Sequence, residues 1–438
     1  MILDKTTLQD LSFLNGEQSV FALINRCTTQ AGSDTLRKLV QNPPATFERL
    51  QEQQEAIRFW IRHTDSWTKQ VSNGTLVMIE KFYESADGVA GRSNPLTLLI
   101  NSLVQKVFNR NAYSFVRFSV SHIIDFLKGC AELVTLQDQD PPIAVDRELE
   151  AFKEVLSLPL CLSLVQTDAD ASQAVLMDLS YRARREIKHI VFQLIERYAR
   201  LDAQHSLALA TREHGWELPE LLPSKAMRFE AVKLYHPLLE QPVAYDILFS
   251  REKNFLFLTG ANMSGKSTLI RAMGVSALMA HIGMGVPAQS MQISFLEGII
   301  TNMQVEDNIF LGESYFFAEV QRMKLTAQKL NRNRYHLVLM DELFKGTNVH
   351  DAYECSRAVI EGLLGQQDNL MALSTHLNEL SENLKEKTNI WFRYCYTRIS
   401  DDGHYEFTYQ LKEGVSRDRI GYLVLKNEGV LDLLRQRV

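Results

Sequence analysis

The fold is decided by the stretch Thr259-Gly260-Ala261-Asn262-Met263-Ser264-Gly265-Lys266-Ser267-Thr268, which fits the phosphate-binding pattern G-x-x-x-x-G-K-[ST]. The apolar residues 255–258 before it predict a buried strand, and the residues from Leu269 onward predict a helix. In such a unit the glycines let backbone N–H groups point at phosphate oxygens, and the helix N-terminus faces the same anion. We therefore predict that residues 260–268 bind a nucleotide. The simpler alternative is a glycine turn beside a solvated lysine.

Two side chains of this loop and two acids further along the chain have predicted chemical roles. We expect Lys266 to neutralise the β- and γ-phosphates of ATP and Ser267 to coordinate Mg²⁺. The apolar run 336–340 predicts a second strand, and it ends in Asp341 and Glu342. Asp341 is suited to hold Mg²⁺ and Glu342 to orient or deprotonate the attacking water. Acids at the end of an ordinary strand are the alternative.

A third apolar run, residues 371–375, brings His376 to the same predicted sheet edge. A histidine there can hydrogen-bond the γ-phosphate or the water, whereas the alternative is an ordinary loop histidine. The predicted catalytic set is therefore Lys266, Glu342 and His376.

Composition and charge restrict the class of protein. The chain has 438 residues, of which 45% are hydrophobic and 23% charged, as in a globular protein of two to four domains. Its net charge of −6 argues against a surface that binds nucleic acid everywhere, but leaves room for a local basic face. The five cysteines lack C-x-x-C spacing and predict reduced thiols. Without a predicted leader or membrane span, we expect a cytoplasmic protein.

The two halves of the chain have different patterns. Between residues 95 and 215 there is one glycine, Gly129, and apolar residues recur at helical intervals. After residue 225, short apolar runs alternate with helical segments, and residues 391–399 and 404–411 predict an antiparallel hairpin. The predicted fold class is α + α/β. It comprises an all-helical domain over residues 1–222 and an ABC-like P-loop NTPase α/β domain over residues 223–438, with a mostly parallel sheet and an antiparallel edge hairpin.

The motifs together resemble those of the MutS family of DNA mismatch repair ATPases. The family loop T-G-x-N-M-S-G-K-S-T matches residues 259–268, including Asn262 and Met263, which the general phosphate-loop pattern does not require. Residues 341–347 resemble its D-E-L-x-x-G-T segment, and residues 374–380 its T-H-x-x-E-L segment. Residues 235–237 resemble its H-P element, and residues 411–421 its L-x-x-G-V-S…G close.

Two further segments extend the resemblance. Asp307, Gly312, Ser314, Phe316 and Glu319 resemble the family signature D…G-x-S-x-F-x-x-E, whose serine reaches into the nucleotide site of the partner subunit. The resemblance therefore implies that Ser314 acts in trans and that two copies of the chain form a homodimer through the ATPase domain. Upstream, residues 29–43 resemble the start of the family's helical core, or lever, domain.

The chain also departs from the family pattern. The lever-like segment begins at Thr29, close to Met1, so we expect a short form without mismatch-binding and connector domains. The helical half looks too short for the inserted DNA clamp, and the family's helix-turn-helix tail is not recognised before Val438. Residues 81–84 imitate the family's F-x-E wedge in letters, but an aromatic that packs in the core is the alternative for Phe82. Phe344 and Lys345 replace the residues usual after D-E-L.

The densest basic stretch lies within residues 182–189. At helical spacing Arg182, Arg185 and His189 share one face, with Arg184 and Lys188 beside it. Such a face can follow DNA phosphates, but it is more commonly a solvated helix surface.

The resemblance implies a Mg²⁺-dependent, DNA-stimulated ATPase of DNA mismatch repair, or of related repair or recombination, which works through nucleotide-driven dimer and lever rearrangement. Its expected partners are double-stranded DNA, with mismatch specificity left open, and a second copy of the chain. The other hypothesis is a non-enzymatic interaction module in which ATP serves as a brace. The sequence leaves open which DNA structure is bound, when the dimer forms and how Phe344 and Lys345 alter hydrolysis.

Overall fold

The computed structural model describes residues 1–14, 16–84, 110–167, 171–303, 315–332, 334–400, 405–416 and 421–435. The chain divides into two compact units. A helical unit comprises Ile24–Lys38 and Glu52–Glu213, and an α/β unit comprises Met1–Leu23, Leu39–Gln51 and His214–Val438. This division differs from the predicted boundary at residues 222 and 223, because Met1–Leu23 belongs with the α/β unit and that unit already resumes at His214.

The described residues before His214 are almost entirely helical, as the spacing of apolar residues predicted. The helices are α1 (Lys5–Asp10), α2 (Val20–Ile24), α3 (Gln30–Gln41), α4 (Phe47–Arg62), α5 (Asn73–Glu84), α6 (Arg110–Val134), α7 (Ile143–Leu156), α8 (Pro159–Val165), α9 (Gln173–Glu186) and α10 (Lys188–Glu213).

In the helical unit, a buried carboxylate on α10 links that helix to the residues just before α3. Asp202 accepts hydrogen bonds from the backbone nitrogens of Thr28 and Thr29, at 2.9 and 3.0 Å, and from the hydroxyl of Thr29 at 2.7 Å. Burial raises the pKa of Asp202 even though these hydrogen bonds oppose the shift. Gly32 is required beside it, because a Cβ there would overlap the carboxylate.

Phe82 and the basic stretch both contribute to the packing of this unit. Phe82 is fully buried, and the guanidinium of Arg184 lies 4.1 Å from its ring centroid. The aromatic residue of the wedge-like stretch is therefore part of the core. The single basic face predicted for residues 182–189 is wrong, since α9 ends at Glu186 and α10 begins at Lys188, with the buried Ile187 between them. The Nζ of Lys188 donates to the Tyr83 carbonyl at 3.4 Å.

Two sheets form the α/β unit. Its strands are β1 (Glu220–Leu222), β2 (Phe229–Leu234), β3 (Tyr245–Phe249), β4 (Phe255–Gly260), β5 (Ser290–Ser294), β6 (Gly298–Asn302), β7 (His336–Asp341), β8 (Leu370–Ser374), β9 (Ile390–Ile399) and β10 (Tyr405–Glu413). The smaller sheet has the order β1-β5-β2-β3, and the larger one the order β10-β9-β4-β8-β7-β6.

The larger sheet matches the sequence prediction. Every pair of neighbours from β9 to β6 is parallel, whereas β10 pairs with β9 in antiparallel fashion and forms the edge. Helices α11 (Lys266–His281), α12 (Tyr315–Arg332), α13 (Val349–Leu364) and α14 (Leu380–Leu384) alternate with its strands, and α15 (Gly421–Asn427) and α16 (Val430–Arg435) follow it. The turn of the predicted hairpin at residues 401–404 lies outside the described residues.

The first residues of the chain complete this unit. Ile2 forms a parallel bridge to Gly298 on β6, and the hydroxyl of Thr7 donates to the Ile299 carbonyl at 3.3 Å. Leu11 packs against Gly274 of α11, where a Cβ would meet its methyl groups. Assignment of residues 1–23 to the helical domain is therefore corrected, because their partners lie on β6 and α11, far along the sequence.

Two properties concern the chain as a whole. All five cysteines are free thiols, as predicted. Among the residues that the structure describes, no helix is both long enough and apolar enough to cross a bilayer.

Candidate nucleotide-binding site

The loop between β4 and α11 depends on two glycines. Gly260 has φ +138°, and a Cβ there would lie 2.9 Å from the Cys395 carbonyl oxygen. Gly265 has φ +97°, and its Cβ would lie 3.1 Å from the Tyr409 ring and 3.2 Å from the Tyr245 hydroxyl. Both backbone conformations favour glycine, and both positions lack space for a side chain. The loop can therefore curl directly into the N-terminus of α11, which begins at Lys266.

Lys266 lies inside this curl. Its Nζ donates to the carbonyl oxygens of Gly260 and Ala261, at 2.9 and 2.8 Å, and it is only 5% exposed. Burial lowers the pKa of Lys266, although nearby acids, with Glu342 the largest contributor, oppose the shift. The ammonium group is thus held beside the N-terminus of α11, where the backbone N–H groups would bind a phosphate.

The ends of β4, β7 and β8 lie side by side and bring the three predicted catalytic residues together. Glu342 follows β7, and its Oε1 lies 2.7 Å from Nε2 of His376, which follows β8. The Lys266 Nζ is 3.3 Å from the same nitrogen. Because one ring nitrogen cannot donate and accept at once, we assign the shorter bond as Nε2–H donating to Glu342.

Glu342 is strongly acidic in this environment. Burial by itself would raise the pKa of its carboxyl group, but the hydrogen bond and attraction from His376 and the nearby ammonium of Lys345 outweigh burial and lower the pKa to about 2. The Lys345 Nζ lies 3.2 Å from the other carboxylate oxygen. At neutral pH, Glu342 is therefore an ionised hydrogen-bond acceptor.

Asp341 lies deeper than Glu342. It ends β7, is 8% exposed, and accepts a hydrogen bond on Oδ1 from the hydroxyl of Ser374 on β8. The Glu342 backbone nitrogen donates to the Ser374 carbonyl at 3.0 Å, so the two strand ends are tied together. Asp341 is thus buried and Glu342 is partly exposed, although both lie at the same edge of the sheet.

A cleft of about 450 Å³ adjoins the phosphate loop. Part of its lining is apolar and aromatic, with Leu239, Val243, Tyr245 and Tyr409, and this composition suits a flat nucleobase. His236 also lines it, and burial, followed by the charge of Arg271, lowers its pKa to about 4, so this imidazole is neutral near pH 7. Several of the predicted loop residues, together with Glu342, also line the cleft.

The predicted site residues fall into three groups. Those that line the cleft are Asn262, Met263, Gly265, Lys266, Ser267, Thr268 and Glu342. Gly260 and His376 line a neighbouring cavity of about 720 Å³, whereas the buried Ala261, Ser264 and Asp341 lie behind the surface. Ser314, the predicted trans residue, lies outside the described residues.

The aromatic part of the cleft lining was not predicted from the sequence. Tyr409 lies far from the phosphate loop in the sequence and has φ +54° at a bulge in β10, between Phe407 and Gln410. Irregular backbone of this kind has no periodic signature in the sequence. The H-P element, residues 235–237, is the signal in the sequence that points to His236.

Comparison with known proteins gives matches over the region that contains this site. The family model of MutS domain V matches residues 256–433. The DNA mismatch repair protein msh3 of Aspergillus terreus is 30% identical over 244 residues, which cover 53% of this chain and 21% of that protein.

Bacterial relatives match over a similar region. The DNA mismatch repair protein MutS of Thermotoga maritima is 31% identical over 255 residues, covering 57% of this chain and 31% of that protein. MutS of Halalkalibacterium halodurans is 26% identical over 294 residues, covering 65% and 32%. The matched stretches span about a fifth to a third of these relatives. Residues 256–433 thus match MutS domain V, and more than half of this chain is similar to DNA mismatch repair proteins of the MutS and msh3 type.

Proposed function

We propose that the chain binds ATP with Mg²⁺ and hydrolyses it. The observation that carries this proposal is the meeting of Lys266, Glu342 and His376 at neighbouring strand ends, with separations of 2.7 and 3.3 Å, beside a cleft that the phosphate loop lines. The apolar and aromatic lining with Tyr409 would receive the adenine, and residues 260–268 would bind the phosphates.

The residues present fit a magnesium ion. Ser267 brings a hydroxyl to the cleft at the start of α11, and Asp341 places a carboxylate at the adjoining strand end, and both are the hard oxygen ligands that Mg²⁺ prefers. Bound there, the ion would neutralise charge on the phosphates.

Glu342 and His376 would act on the attacking water. A carboxyl group with a pKa of about 2 is a weak base but a good acceptor, so we assign Glu342 to orienting the water rather than to removing its proton in advance. His376, which donates to Glu342, would hold that carboxylate in place. Lys266 would move from its loop carbonyls to the phosphates.

The rival hypothesis is an ATP-braced module without turnover, and one contact favours it. Lys345, the departure from the family pattern, holds an ammonium 3.2 Å from Glu342 and so competes for the carboxylate that catalysis would use. We infer that this contact slows hydrolysis without abolishing it, because Lys345 is half-exposed and its ion pair is partly screened by solvent.

The wider role is also a proposal. The relatives are named DNA mismatch repair proteins, and this supports a DNA-associated repair role with double-stranded DNA as a partner. The resemblance of residues 307–319 to the family signature supports a homodimer in which Ser314 serves the partner's site. The helical unit would be the lever that nucleotide-driven rearrangement moves. We propose little preference for mismatched over perfect duplex, since Phe82, the aromatic of the wedge-like stretch, is fully buried.

A Glu342→Gln variant tests the central proposal. We expect its turnover with ATP and Mg²⁺ to fall about a hundredfold or more, while the dissociation constant for ATP in calorimetry changes by less than about threefold. Glu354→Gln is the matched control, because Glu354 is an exposed carboxylate on α13 that pairs at the surface with Arg357.

Other outcomes point elsewhere. Zero turnover in wild type and variant alike, with ATP binding retained, would support the brace. No adenine-nucleotide uptake by the folded protein would refute both hypotheses. The same assay with perfect and mismatched duplex measures DNA stimulation, and sedimentation with ATP and Mg²⁺ measures dimer formation. A strong preference for mismatched duplex would contradict the proposed lack of mismatch preference.

A further inference from the structure

We propose that Glu319 is a positioning residue for hydrolysis, because its carboxylate holds the loop that carries Glu342. This inference rests on the proposed ATPase function, and it assigns to α12 a role in that reaction.

Glu319 is a buried carboxylate that binds backbone. It is 8% exposed, and its Oε1 accepts from the Lys345 nitrogen while its Oε2 accepts from the Gly346 nitrogen, both at 3.1 Å. Hydrogen bonds to an ionised acceptor are stronger than neutral ones, so this bidentate contact is suited to hold the loop.

The loop, residues 342–348, connects β7 to α13 and has no regular structure. It needs such a restraint, because two of its residues have unfavourable backbone angles. Glu342 and Phe344 both have φ +58°, in the left-handed region that is costly for residues with a side chain. Conformations of this kind persist only where the surroundings enforce them.

Helix α12 supplies apolar restraints on the same loop. A Cβ at Gly346 would lie 2.5 Å from the Tyr315 ring and 2.7 Å from the Phe316 nitrogen, so the loop backbone lies directly against the first turn of α12. Phe344 is 4% exposed, and its ring centroid is 5.9 Å from that of Phe316. Glu319 thus adds hydrogen bonds to a surface that already fits.

The helix itself is fixed independently. The Arg322 guanidinium pairs with the buried Asp10 of α1 and donates to the Thr301 carbonyl at 3.2 Å. A substitution at Glu319 should therefore release the loop and leave α12 in place.

The loop leads directly to the proposed catalytic groups. Lys345 is tied to Glu319 by its backbone and to Glu342 by its ammonium, and Glu342 in turn contacts His376. The phosphate-binding residues come from β4 and α11 and do not depend on this loop. Loss of Glu319 is therefore expected to reduce turnover and leave nucleotide affinity intact.

The test compares Glu319→Ala and Glu319→Gln with wild type, and Glu354→Gln is again the matched control. We expect kcat to fall about 10- to 100-fold in the alanine variant, as for other residues that orient a catalytic group. The glutamine variant should be intermediate, because it retains one oxygen acceptor and turns a donor towards the other backbone N–H. Calorimetric ATP affinity should change by less than about threefold in both. If the alanine variant fails to fold, the glutamine variant provides the same comparison.

Amide hydrogen exchange without nucleotide supplies a readout that does not need turnover. Residues 343–348 should exchange faster in the alanine variant, whereas α11 and β4 should keep wild-type protection. Unchanged exchange in this loop would overturn the proposal, and so would faster exchange with wild-type kcat. If the wild-type protein shows no turnover, the proposed ATPase function itself is refuted. If wild type and the Glu319 variants turn over ATP at the same rate, only the role of Glu319 is refuted.

Discussion

At the scale of single residues, the site places opposing demands on Glu342. Burial favours the neutral form of this carboxyl group, whereas His376 and Lys345 stabilise its anion and set the pKa at about 2. The anion is favoured overall, because His376 and Lys345 both lie within 3.2 Å of the carboxylate. The side chain is therefore an acceptor throughout the physiological pH range, and its orientation matters more than its basicity.

The Tyr409 ring gives the first prediction at this scale. If the ring stacks on the adenine base, Tyr409→Ala should weaken ATP binding by about tenfold or more, the effect expected for loss of one base–aromatic stack. Tyr409→Phe retains the ring and should bind like wild type. Calorimetry with ATP measures both variants.

Tyr405→Ala is the control for this prediction. Tyr405 is on the same strand and its ring contacts Phe407, but it does not line the cleft. Equal ATP affinity in the Tyr409 and Tyr405 alanine variants would show that the base does not rest on Tyr409.

At the scale of elements, α10 and α3 are joined through one carboxylate. Asp202 accepts from both Thr28 and Thr29, and the two helices approach closely only because residue 32 is glycine. A buried carboxylate stabilises such a junction only while its hydrogen bonds are complete.

Two glycine substitutions test this junction. Gly32→Ala should destabilise the protein by about 1–3 kcal/mol, because the added methyl group would overlap Asp202. Gly74→Ala, in α5, should be neutral or stabilising by up to about 1 kcal/mol, because its Cβ would meet only the Ser72 hydroxyl at 3.5 Å. Urea unfolding followed by tryptophan fluorescence measures both, and a Gly32→Ala variant as stable as Gly74→Ala would contradict the proposed packing role.

At the scale of the whole molecule, buried histidines couple stability to pH. His281 is fully buried; its Nδ1 contacts the Ala277 carbonyl at 2.7 Å, and its Nε2 accepts from the Leu296 nitrogen at 2.8 Å. Only the neutral ring can make both bonds. Burial lowers the pKa of His281 to about 4, and it likewise lowers the pKa of His336.

Stability should therefore decrease as the pH falls from about 7 to about 4. The unfolded chain takes up protons near the ordinary histidine pKa of about 6.5, whereas folded His281 takes them up only near pH 4. The stabilisation is complete above the unfolded pKa, and each pH unit below it removes about 1.4 kcal/mol for this residue. Thermal unfolding at pH 7.5 and 5.0 measures the change.

His350→Ala is the control for this pH dependence, because His350 lies exposed at the start of α13. It should show the wild-type decrease, whereas His281→Gln should show a smaller decrease from a lower starting stability. An unfolding temperature that does not change between the two pH values would contradict the role of the buried histidines.

The sequence was most informative where the chain is locally regular. The strands at 255–260, 336–341 and 370–374 and the hairpin were predictable, because apolar runs that end in glycine or in polar residues are local patterns. The positions of Lys266, Glu342 and His376 at one sheet edge followed from the rule that parallel strands end on the same side.

What the sequence by itself determined is thus the phosphate loop, the strand-end acids, the parallel sheet and the membership of residues 256–433 in a known domain. Only the tertiary structure decided that residues 1–23 complete the α/β unit, that Tyr409 lines the cleft and that Glu319 binds the Glu342 loop. The physical reason is range. Backbone geometry and hydrophobic periodicity act between near neighbours in the chain, whereas these contacts join side chains that are far apart in the sequence and depend on packing.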